Sequence, residues 1–285
     1  MRSQEPALPF LKWPGGKRWA RGPIVEILSR SLQSTYFEPF LGGGSIFFAL
    51  QPRLAVLSDI NADLINTYCL VRDRPAEVIR RLKRLPVEKP IYDRLRASDP
   101  QGPIERAVRF LYLNRTAFGG IYRLNSAGRF NVPYGGGERT PEILWRKDLL
   151  ASASRALADA DIRHADFELV MESARRGDAV YCDPTYTVAH ENNGFVRYNQ
   201  RNFSWQDQER LACAARRAAE RGASVVISNA NHASIRRLYQ GAKFQVLERY
   251  SSVSTDVSKR RQIRESLAVI GPGIVRAGAL IPRAN

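Results

Sequence analysis

Residues 35–45 read TYFEPFLGGGS, an apolar run that ends in three glycines and a serine. Residues 35–40 predict a β-strand, residues 41–44 a turn, and Ser45 the start of a helix. Glycines at such a turn permit positive φ angles and let a ligand approach the backbone, although a tight turn without a ligand fits the same residues. The spacing is neither the Gly-x-Gly-x-x-Gly dinucleotide fingerprint nor that of a phosphate loop.

Strands and helices alternate outward from this stretch. Strand-like runs recur at 54–59, 179–182, 224–228, 244–250 and 265–270. Helical patterns occupy 45–50, 61–71 and 206–221, and Gly222 ends the last of them. This alternation predicts an α/β fold, a doubly wound and mostly parallel sheet with helices on both faces.

The pattern changes between about residues 73 and 160. A break at Arg72–Pro75 is followed by a basic helical stretch, and two polar–apolar runs within 121–134 predict a β-hairpin. We therefore expect residues 1–72 and 161–285 to form the α/β domain and residues 73–160 to form a smaller helical and β-hairpin insert.

The charge of the chain points to its partner. With 44 Lys and Arg against 28 Asp and Glu, the net charge is +16. Such a surplus favours a polyanion, because neutralising phosphates releases counterions, although a soluble protein can be basic without one. The sequence contains neither a long basic amphipathic helix nor an apolar run of about 18 residues, so we expect no membrane partner.

The cysteine and histidine residues indicate a reducing compartment and argue against a metal site. Cys69, Cys182 and Cys213 are scattered and odd in number, which indicates a reducing compartment rather than a disulfide framework. The first residues lack the apolar core of a signal peptide, so we expect a cytoplasmic protein. The three histidines form no ligand cluster, and we expect no metal.

Asp59 ends the second predicted strand. A carboxylate at that place can accept hydrogen bonds from both ribose hydroxyls of a nucleoside-containing cofactor. It can equally cap the helix that follows, although Asn61 could serve as that cap instead. The sequence alone leaves both interpretations open.

The tetrapeptide Asp183-Pro184-Thr185-Tyr186 follows the strand at 179–182, at the end where open α/β sheets bind ligands. The carboxylate of Asp183 and the carbonyl of Pro184 can accept hydrogen bonds from an amino group, and Tyr186 can stack on a planar base. Together they describe a cradle for the exocyclic amine of a flipped-out nucleobase. The same tetrapeptide also occurs as an ordinary turn.

Seven segments in order resemble the Dam-type (D12 class) DNA adenine-N6 methyltransferases, which use S-adenosylmethionine. The resemblance extends from about Pro9 to Ile270. The segments are KWPGGK at 12–17, FEPFLGGG at 37–44, SDIN at 58–61, the hairpin at 122–133, HADF at 164–167, DPTY at 183–186 and VISN at 226–229. The resemblance implies a class I methyltransferase (Rossmann-like) fold and a site-specific adenine methyltransferase that flips its base.

The resemblance also implies roles for individual residues. The catalytic cradle is Asp183, Pro184 and Tyr186. The expected cofactor contacts are Trp13, Lys17, Phe37, Glu38, Pro39, Gly42, Gly43, Asp59, Asp166, Phe167 and Asp183. The expected contacts to double-stranded DNA are Lys12, Phe118, Arg123, Asn125, Asn131, Pro133 and Arg197. A monomer suffices for a target on one strand.

Two positions depart from the family pattern. Thr185 stands where the motif usually has a second proline, which removes a fixed φ and adds a backbone N–H. We expect an active but slower enzyme, because misplacement of an in-line transfer is costly. Gly119 stands where GATC-specific members carry an Asn before the hairpin, so the contact that an Asn makes to an orphaned base is lost. Phe118 can still wedge into the base stack, and Arg123 retains the fork suited to guanine.

Other interpretations remain at this stage. The same cradle can hold the N4 amine of cytosine, and a catalytically attenuated DNA-binding descendant would keep the charge without the transfer. A nucleotide-binding oxidoreductase is disfavoured by the glycine spacing. Residues 186–200 predict a long polar loop over the cradle that carries Arg197, and 258–264 is a basic segment suited to phosphates.

Overall fold

The computed structural model describes residues 7–125, 127–136, 142–187, 203–250 and 262–271. The chain divides into two compact units. Unit 1 comprises Met1–Arg21, Leu41–Arg53 and Ser58–His164, and unit 2 comprises Gly22–Phe40, Leu54–Leu57 and Ala165–Asn285. Each unit is described by itself below.

Within the described ranges the sheet has seven strands, in the order β3-β2-β1-β4-β5-β7-β6. The strands are β1 (Tyr36–Glu38), β2 (Ala55–Asp59), β3 (Ala160–His164), β4 (Ala179–Cys182), β5 (Ser224–Ala230), β6 (Lys243–Tyr250) and β7 (Gln262–Ile270). Strand β1 pairs in parallel with β2 and β4, and β4 with β5, whereas β7 runs antiparallel to both β5 and β6. The mostly parallel α/β sheet expected from the sequence is confirmed.

Helices alternate with these strands. They are α1 (Arg21–Ser31), α2 (Ser45–Leu50), α3 (Ala62–Asp73), α4 (Pro75–Leu82), α5 (Lys89–Ala97), α6 (Pro103–Thr116), α7 (Glu142–Trp145), α8 (Lys147–Leu157), α9 (Phe167–Met171), α10 (Trp205–Glu220) and α11 (Ala233–Leu238). None of the helices in the described part of the chain has the length and apolar character needed to cross a membrane.

Local signals fix the ends of the helices that matter for the site. Asn61 caps α3, because its side chain accepts the N–H of Leu64 at 3.0 Å. Helix α10 begins with a capping box in which Ser204 and Asp207 bond reciprocally, and Gly222 follows its end at φ +98°. Such caps are each worth about 1 kcal/mol.

The core of unit 2 lies between strands β4 and β5 and helix α10. Val180, Val225, Ile227 and Leu211 are fully buried there, and alanines along α10 fill the rest of the interface. Each buried aliphatic side chain contributes about 1.5–3 kcal/mol. This packing holds the carboxyl ends of β4 and β5 rigidly, which matters because the expected cradle follows β4.

In unit 1, helix α6 holds the N-terminal segment in place. Asn114 is buried and bonds twice to the backbone of Lys12, accepting from its N–H at 3.0 Å and donating to its carbonyl at 2.6 Å. The Arg115 guanidinium donates to the carbonyl of Phe10, and burial lowers the pKa of Arg115 to about 10. The segment before Trp13 therefore has a defined path.

The expected hairpin is present as short antiparallel pairing. Leu124 bridges to Phe130 and Ala117 to Tyr134. The backbone of Asn125 donates to Arg129 at 2.8 Å across the turn. The pairing is limited to isolated bridges rather than two regular strands.

Candidate active site

The glycine turn is held by the carboxylate of Asp59. The N–H of Gly42 donates to Asp59 Oδ2 and the N–H of Asn61 to Asp59 Oδ1, each at 3.0 Å. Gly42 and Gly44 have φ of +47° and +63°, and the Tyr68 hydroxyl donates to the carbonyl of Gly42 at 3.1 Å. Since Asn61 caps α3, Asp59 is not the cap of that helix. Its carboxylate instead holds the glycine turn through the hydrogen bond from Gly42.

Burial raises the pKa of Asp59, and hydrogen bonds from Gly42, Asn61 and Ile60 partly oppose this rise, as does His164. A carboxylate offers about four acceptor positions, so Asp59 can accept hydrogen bonds beyond those of the backbone. It therefore has the capacity that a ribose contact requires.

Trp13 lies directly against the turn. A Cβ built on Gly42 would lie 2.8 Å from the Trp13 ring, and one on Gly43 would lie 2.9 Å from Trp13 Cβ. The ring stacks on Tyr122, with centroids 5.3 Å apart and an interplanar angle of 20°, and on Phe110 at 6.4 Å. Glycine is needed at both positions because the Trp13 side chain, its indole at Gly42 and its Cβ at Gly43, occupies the space of a new side chain.

A cavity of about 370 Å³ opens beside Trp13. Its lining includes two expected cofactor contacts, Trp13 and Gly43, and one expected DNA contact, Lys12, together with Gly119 and Gly120. Both of these glycines have positive φ, and a Cβ at Gly120 would overlap the Lys12 side chain. The buried Lys17 side chain donates to the carbonyl of Gly15 at 3.1 Å.

Within unit 2, strand β1 carries a buried acid. Glu38 is 3% exposed and accepts the hydroxyl of Tyr36 at 2.8 Å. Burial and the charge of Glu38 raise the pKa of Tyr36 well above its ordinary value. Tyr36 was not among the expected site residues, although residues two apart on a strand share a face. Phe37 joins the core of unit 2, and Pro39 is buried.

Asp166 and Phe167 begin helix α9. Asp166 caps the helix by accepting the N–H of Glu168 at 2.9 Å, and it accepts from Arg210 Nη2 at 2.9 Å. Phe167 stacks on Phe40 with centroids 5.3 Å apart, and the Arg210 guanidinium lies 4.9 Å from the Phe167 ring. Arg210 thus fixes both expected residues, and nothing in the sequence marked it for that role.

The segment after β4 is anchored at Tyr186. The Tyr186 hydroxyl donates to Glu265 Oε2 at 2.6 Å, and Glu265 is a 5% exposed residue of β7. Pro184 is buried and Thr185 exposed, and Asp183 and Tyr186 are each half-buried. The expected catalytic tetrapeptide is therefore held at Tyr186, and Glu265 is a partner that the sequence did not reveal.

Three carboxylates act on one buried tyrosine of unit 2. Burial raises the pKa of Tyr181 well above its ordinary value, and Asp183, Glu38 and Glu265 raise it further, while a hydrogen bond with Ser228 opposes them. Glu38, Asp183 and Glu265 are therefore all close enough to Tyr181 for their charges to act on its hydroxyl.

Five of the expected DNA contacts, Phe118, Arg123, Asn125, Asn131 and Pro133, lie in and beside the hairpin of unit 1. Phe118 is 60% exposed, and Arg123 Nε donates to the side chain of Asn131 at 2.9 Å. The Asn125 side chain accepts two backbone N–H groups and so shapes the turn. The carbonyl of Pro133 accepts the N–H of Phe118 at 2.9 Å, which links Phe118 to the hairpin.

Some expectations lie outside the described residues. These are Arg197, residues 188–200 of the loop expected at 186–200, and residues 258–261 of the basic segment expected at 258–264. Among the residues that the structure describes, no group of three or more His, Cys, Asp or Glu side chains is arranged to hold a metal ion.

Comparison with known proteins places this geometry in a family. The model of the D12 class N6 adenine-specific DNA methyltransferases matches residues 13–254. The type II methyltransferase M1.LlaDCHI of Lactococcus lactis subsp. cremoris is 37% identical over 267 residues, covering 90% of this chain and 93% of that protein. The DNA adenine methylase of Escherichia coli (strain K12) is 34% identical over 279 residues, covering 93% and 96%.

A further DNA adenine methylase, from Vibrio cholerae serotype O1, is 35% identical over 274 residues, covering 92% of this chain and 96% of that protein. Among solved structures, the rRNA methyltransferase aviRa from Streptomyces viridochromogenes aligns over 98% of this chain and 96% of its own, with a TM-score of 0.41 and 12% identity. The family match and the curated relatives extend over most of the chain. The chain therefore belongs to the D12 class of N6 adenine-specific DNA methyltransferases.

Proposed function

We propose that the chain transfers a methyl group from S-adenosylmethionine to N6 of an adenine flipped out of duplex DNA. Methylation of adenine N6 in DNA is the activity of its class. The donor, the flipping of the base and the roles of individual residues are the proposal. The anchored segment from Asp183 to Tyr186 at the carboxyl end of β4 is the observation that carries it.

This segment holds the target base. The Asp183 carboxylate and the Pro184 carbonyl accept the N–H groups of the N6 amine, and the Tyr186 ring stacks on the base. The hydrogen bond from Tyr186 to Glu265 holds the hydroxyl end of that ring in place before the base arrives. Orientation of this kind is the main contribution that the protein makes to an in-line transfer.

The residues of unit 1 fit the donor. Asp59 retains acceptor capacity for the ribose hydroxyls, and Trp13 lies against Gly42 and Gly43 with no room for a Cβ. When bound, S-adenosylmethionine supplies an activated methyl group on a positively charged sulfonium. Lys17 lies in the same N-terminal segment, where its side chain is committed to the Gly15 carbonyl.

The residues of unit 2 add negative charge and an aromatic contact. Glu38 and Asp183 are acids whose charges reach the same buried tyrosine, and a positively charged donor is attracted to them. Asp166 and Phe167, with the backbone of Phe37 and Pro39, complete the proposed contacts. The fixed geometry that Arg210 gives to Asp166 supports this assignment.

The insert reads the DNA in this proposal, with residues 73–160 for recognition and residues 1–72 and 161–285 for catalysis. Phe118 is exposed enough to enter the base stack, and Arg123 presents its guanidinium from the hairpin. Lys12, Asn125, Asn131, Pro133 and Arg197 are the further proposed contacts. The net charge of +16 supports binding to phosphates.

Gly119 has φ +62° and ψ 3°, a left-handed conformation that Asn tolerates better than most residues do. The glycine therefore keeps the backbone path expected for an Asn and gives up only the side chain. We propose that the sequence preference differs from that of relatives with an Asn at this position.

The test is methyl transfer from labelled S-adenosylmethionine to unmethylated duplex DNA, followed by digestion to nucleosides and identification by mass. The expected product is N6-methyladenine, with none formed by Asp183→Ala. N4-methylcytosine would contradict the proposed substrate. A wild-type protein that binds DNA in a salt-dependent way but forms no methylated nucleoside would contradict the proposed catalysis.

A further inference from the structure

A buried chain of side-chain hydrogen bonds ends on the residue that follows the catalytic tetrapeptide. Gln208 Nε2 donates to Thr187 Oγ1 at 2.8 Å, and Asn229 Nδ2 donates to Gln208 Oε1 at 3.0 Å. Thr187, Gln208 and Asn229 are 4%, 0% and 1% exposed. We call these three residues the amide relay.

The direction of the relay is fixed from its far end. The N–H of Ala230 donates to Asn229 Oδ1 at 2.9 Å, which turns Nδ2 of Asn229 toward Gln208. Because the Oε1 of Gln208 accepts from Asn229, the Nε2 of Gln208 is the atom that faces Thr187. Burying an amide is costly unless it is hydrogen-bonded. In the amide relay, Thr187 Oγ1 and the side-chain nitrogens and oxygens of Gln208 and Asn229 each have a hydrogen-bond partner.

The relay ties the catalytic segment to rigid elements. Asn229 lies on β5 and Gln208 in the first turn of α10, whose start is set by the Ser204 capping box. Tyr186, one residue before Thr187, is held independently by Glu265 of β7. The segment is thus fixed at Tyr186 and Thr187, just after the exposed Thr185.

We propose that the amide relay positions Tyr186 and the Pro184 carbonyl, and that it replaces the constraint that a proline at position 185 would supply. Proline there would fix one φ angle and reduce the conformations open to the segment. Thr185 leaves the φ angle of residue 185 free. The hydrogen bond from Gln208 to Thr187 restricts the same segment from its C-terminal end. Thr187, Gln208 and Asn229 are positioning residues, which do not touch the base.

This inference rests on the proposed function, and its test separates the two. The probe is unmethylated bacteriophage DNA of mixed sequence with labelled S-adenosylmethionine, and the rate is that of a single turnover with enzyme in excess. Thr187→Val keeps the shape of the side chain but removes the acceptor, and Thr187→Ser keeps the acceptor. Each is also made with Thr185→Pro.

A small displacement of the stacking ring is costly, so we expect Thr187→Val to lower the single-turnover rate about tenfold. Thr187→Ser should stay within about twofold of wild type, because the hydroxyl is the working group. The Kd for S-adenosylmethionine should be unchanged in both variants. With Thr185→Pro present, Thr187→Val should lower the rate by only about twofold, which is the non-additivity expected of coupled sites.

Several results would overturn the inference. One is an equal loss of single-turnover rate from Thr187→Val with and without Thr185→Pro. Another is a Thr187→Val variant with a lower melting temperature but an unchanged rate. If Thr187→Val fails to fold, Gln208→Met breaks the same relay from its middle and should show the same dependence on residue 185. Absence of methyl transfer by the wild-type protein would instead count against the proposed function.

Discussion

Replacement of Gly42 by alanine tests whether the glycine turn and Trp13 form one binding surface. Gly42 has φ +47°, and a left-handed conformation costs an L-residue about 1–2 kcal/mol. The new Cβ would lie 2.8 Å from Cδ1 and Nε1 of Trp13, so the indole must move. Its stack on Tyr122, with centroids 5.3 Å apart, would be lost at a cost of about 0.5–1.5 kcal/mol.

Two control substitutions separate these costs. Gly136 has φ +60°, and a Cβ there meets nothing within 4 Å, so Gly136→Ala carries the backbone strain alone. Gly43→Ala carries only the steric cost, because its Cβ would lie 2.9 Å from Trp13 Cβ and Gly43 has no positive φ. Gly42→Ala combines both, and its loss of stability should be the largest of the three, about 2–3 kcal/mol.

Isothermal titration with S-adenosylmethionine and thermal unfolding are the measurements. A displaced Trp13 should raise the Kd at least about tenfold in Gly42→Ala, which corresponds to 1.4 kcal/mol. Gly43→Ala should also weaken binding, whereas Gly136→Ala should lower the melting temperature and leave the Kd unchanged. If Gly42→Ala loses stability but binds S-adenosylmethionine with the wild-type Kd, Trp13 is not part of the cofactor surface and the reasoning fails.

Three further predictions concern the hydrogen bonds and the exposed ring. Tyr186→Phe should lower the single-turnover methylation rate about tenfold, because the bond to Glu265 is lost, and Glu265→Gln should lower it less since an acceptor remains. Rates equal to wild type for Tyr186→Phe would show that the hydroxyl does not orient the ring. Asn61→Ala should cost about 1 kcal/mol in urea unfolding, since the cap on Leu64 is lost, and the Kd for S-adenosylmethionine should not change because Asn61 reaches Asp59 through its backbone. Phe118→Ala should reduce the rise in fluorescence that the enzyme causes in 2-aminopurine placed at a target adenine, without altering cofactor affinity. An undiminished rise would exclude insertion of Phe118 into the base stack.

The parts of the fold that depend on local signals were predictable. The strands at 55–59 and 179–182 follow from short apolar runs, Asn61 from its capping position, and the end of α10 from Gly222. Strand β1 is shorter than predicted, because it ends at Glu38, before the proline. The sequence also indicated Asp59 at the end of β2 and Asp183 directly after β4.

The long-range contacts of other expected site residues were not predictable in the same way. Tyr186 and Glu265 are 79 residues apart, and Arg210 and Asp166 are 44 apart, so no periodic pattern links them. Contacts at such separations depend on which strands become neighbours in the sheet. The antiparallel insertion of β7 between β5 and β6 places Glu265 beside Ala230, the last residue of β5, at the carboxyl end of that strand.

The position of Trp13 has a thermodynamic consequence. Its indole touches the glycine turn on one side and stacks on Tyr122 of the hairpin on the other. If the donor contacts this ring as proposed, the donor and the DNA act on a shared element. Reciprocity then requires that each ligand change the affinity of the other by the same factor, so the order in which they bind affects the rate of assembly but not the stability of the ternary complex.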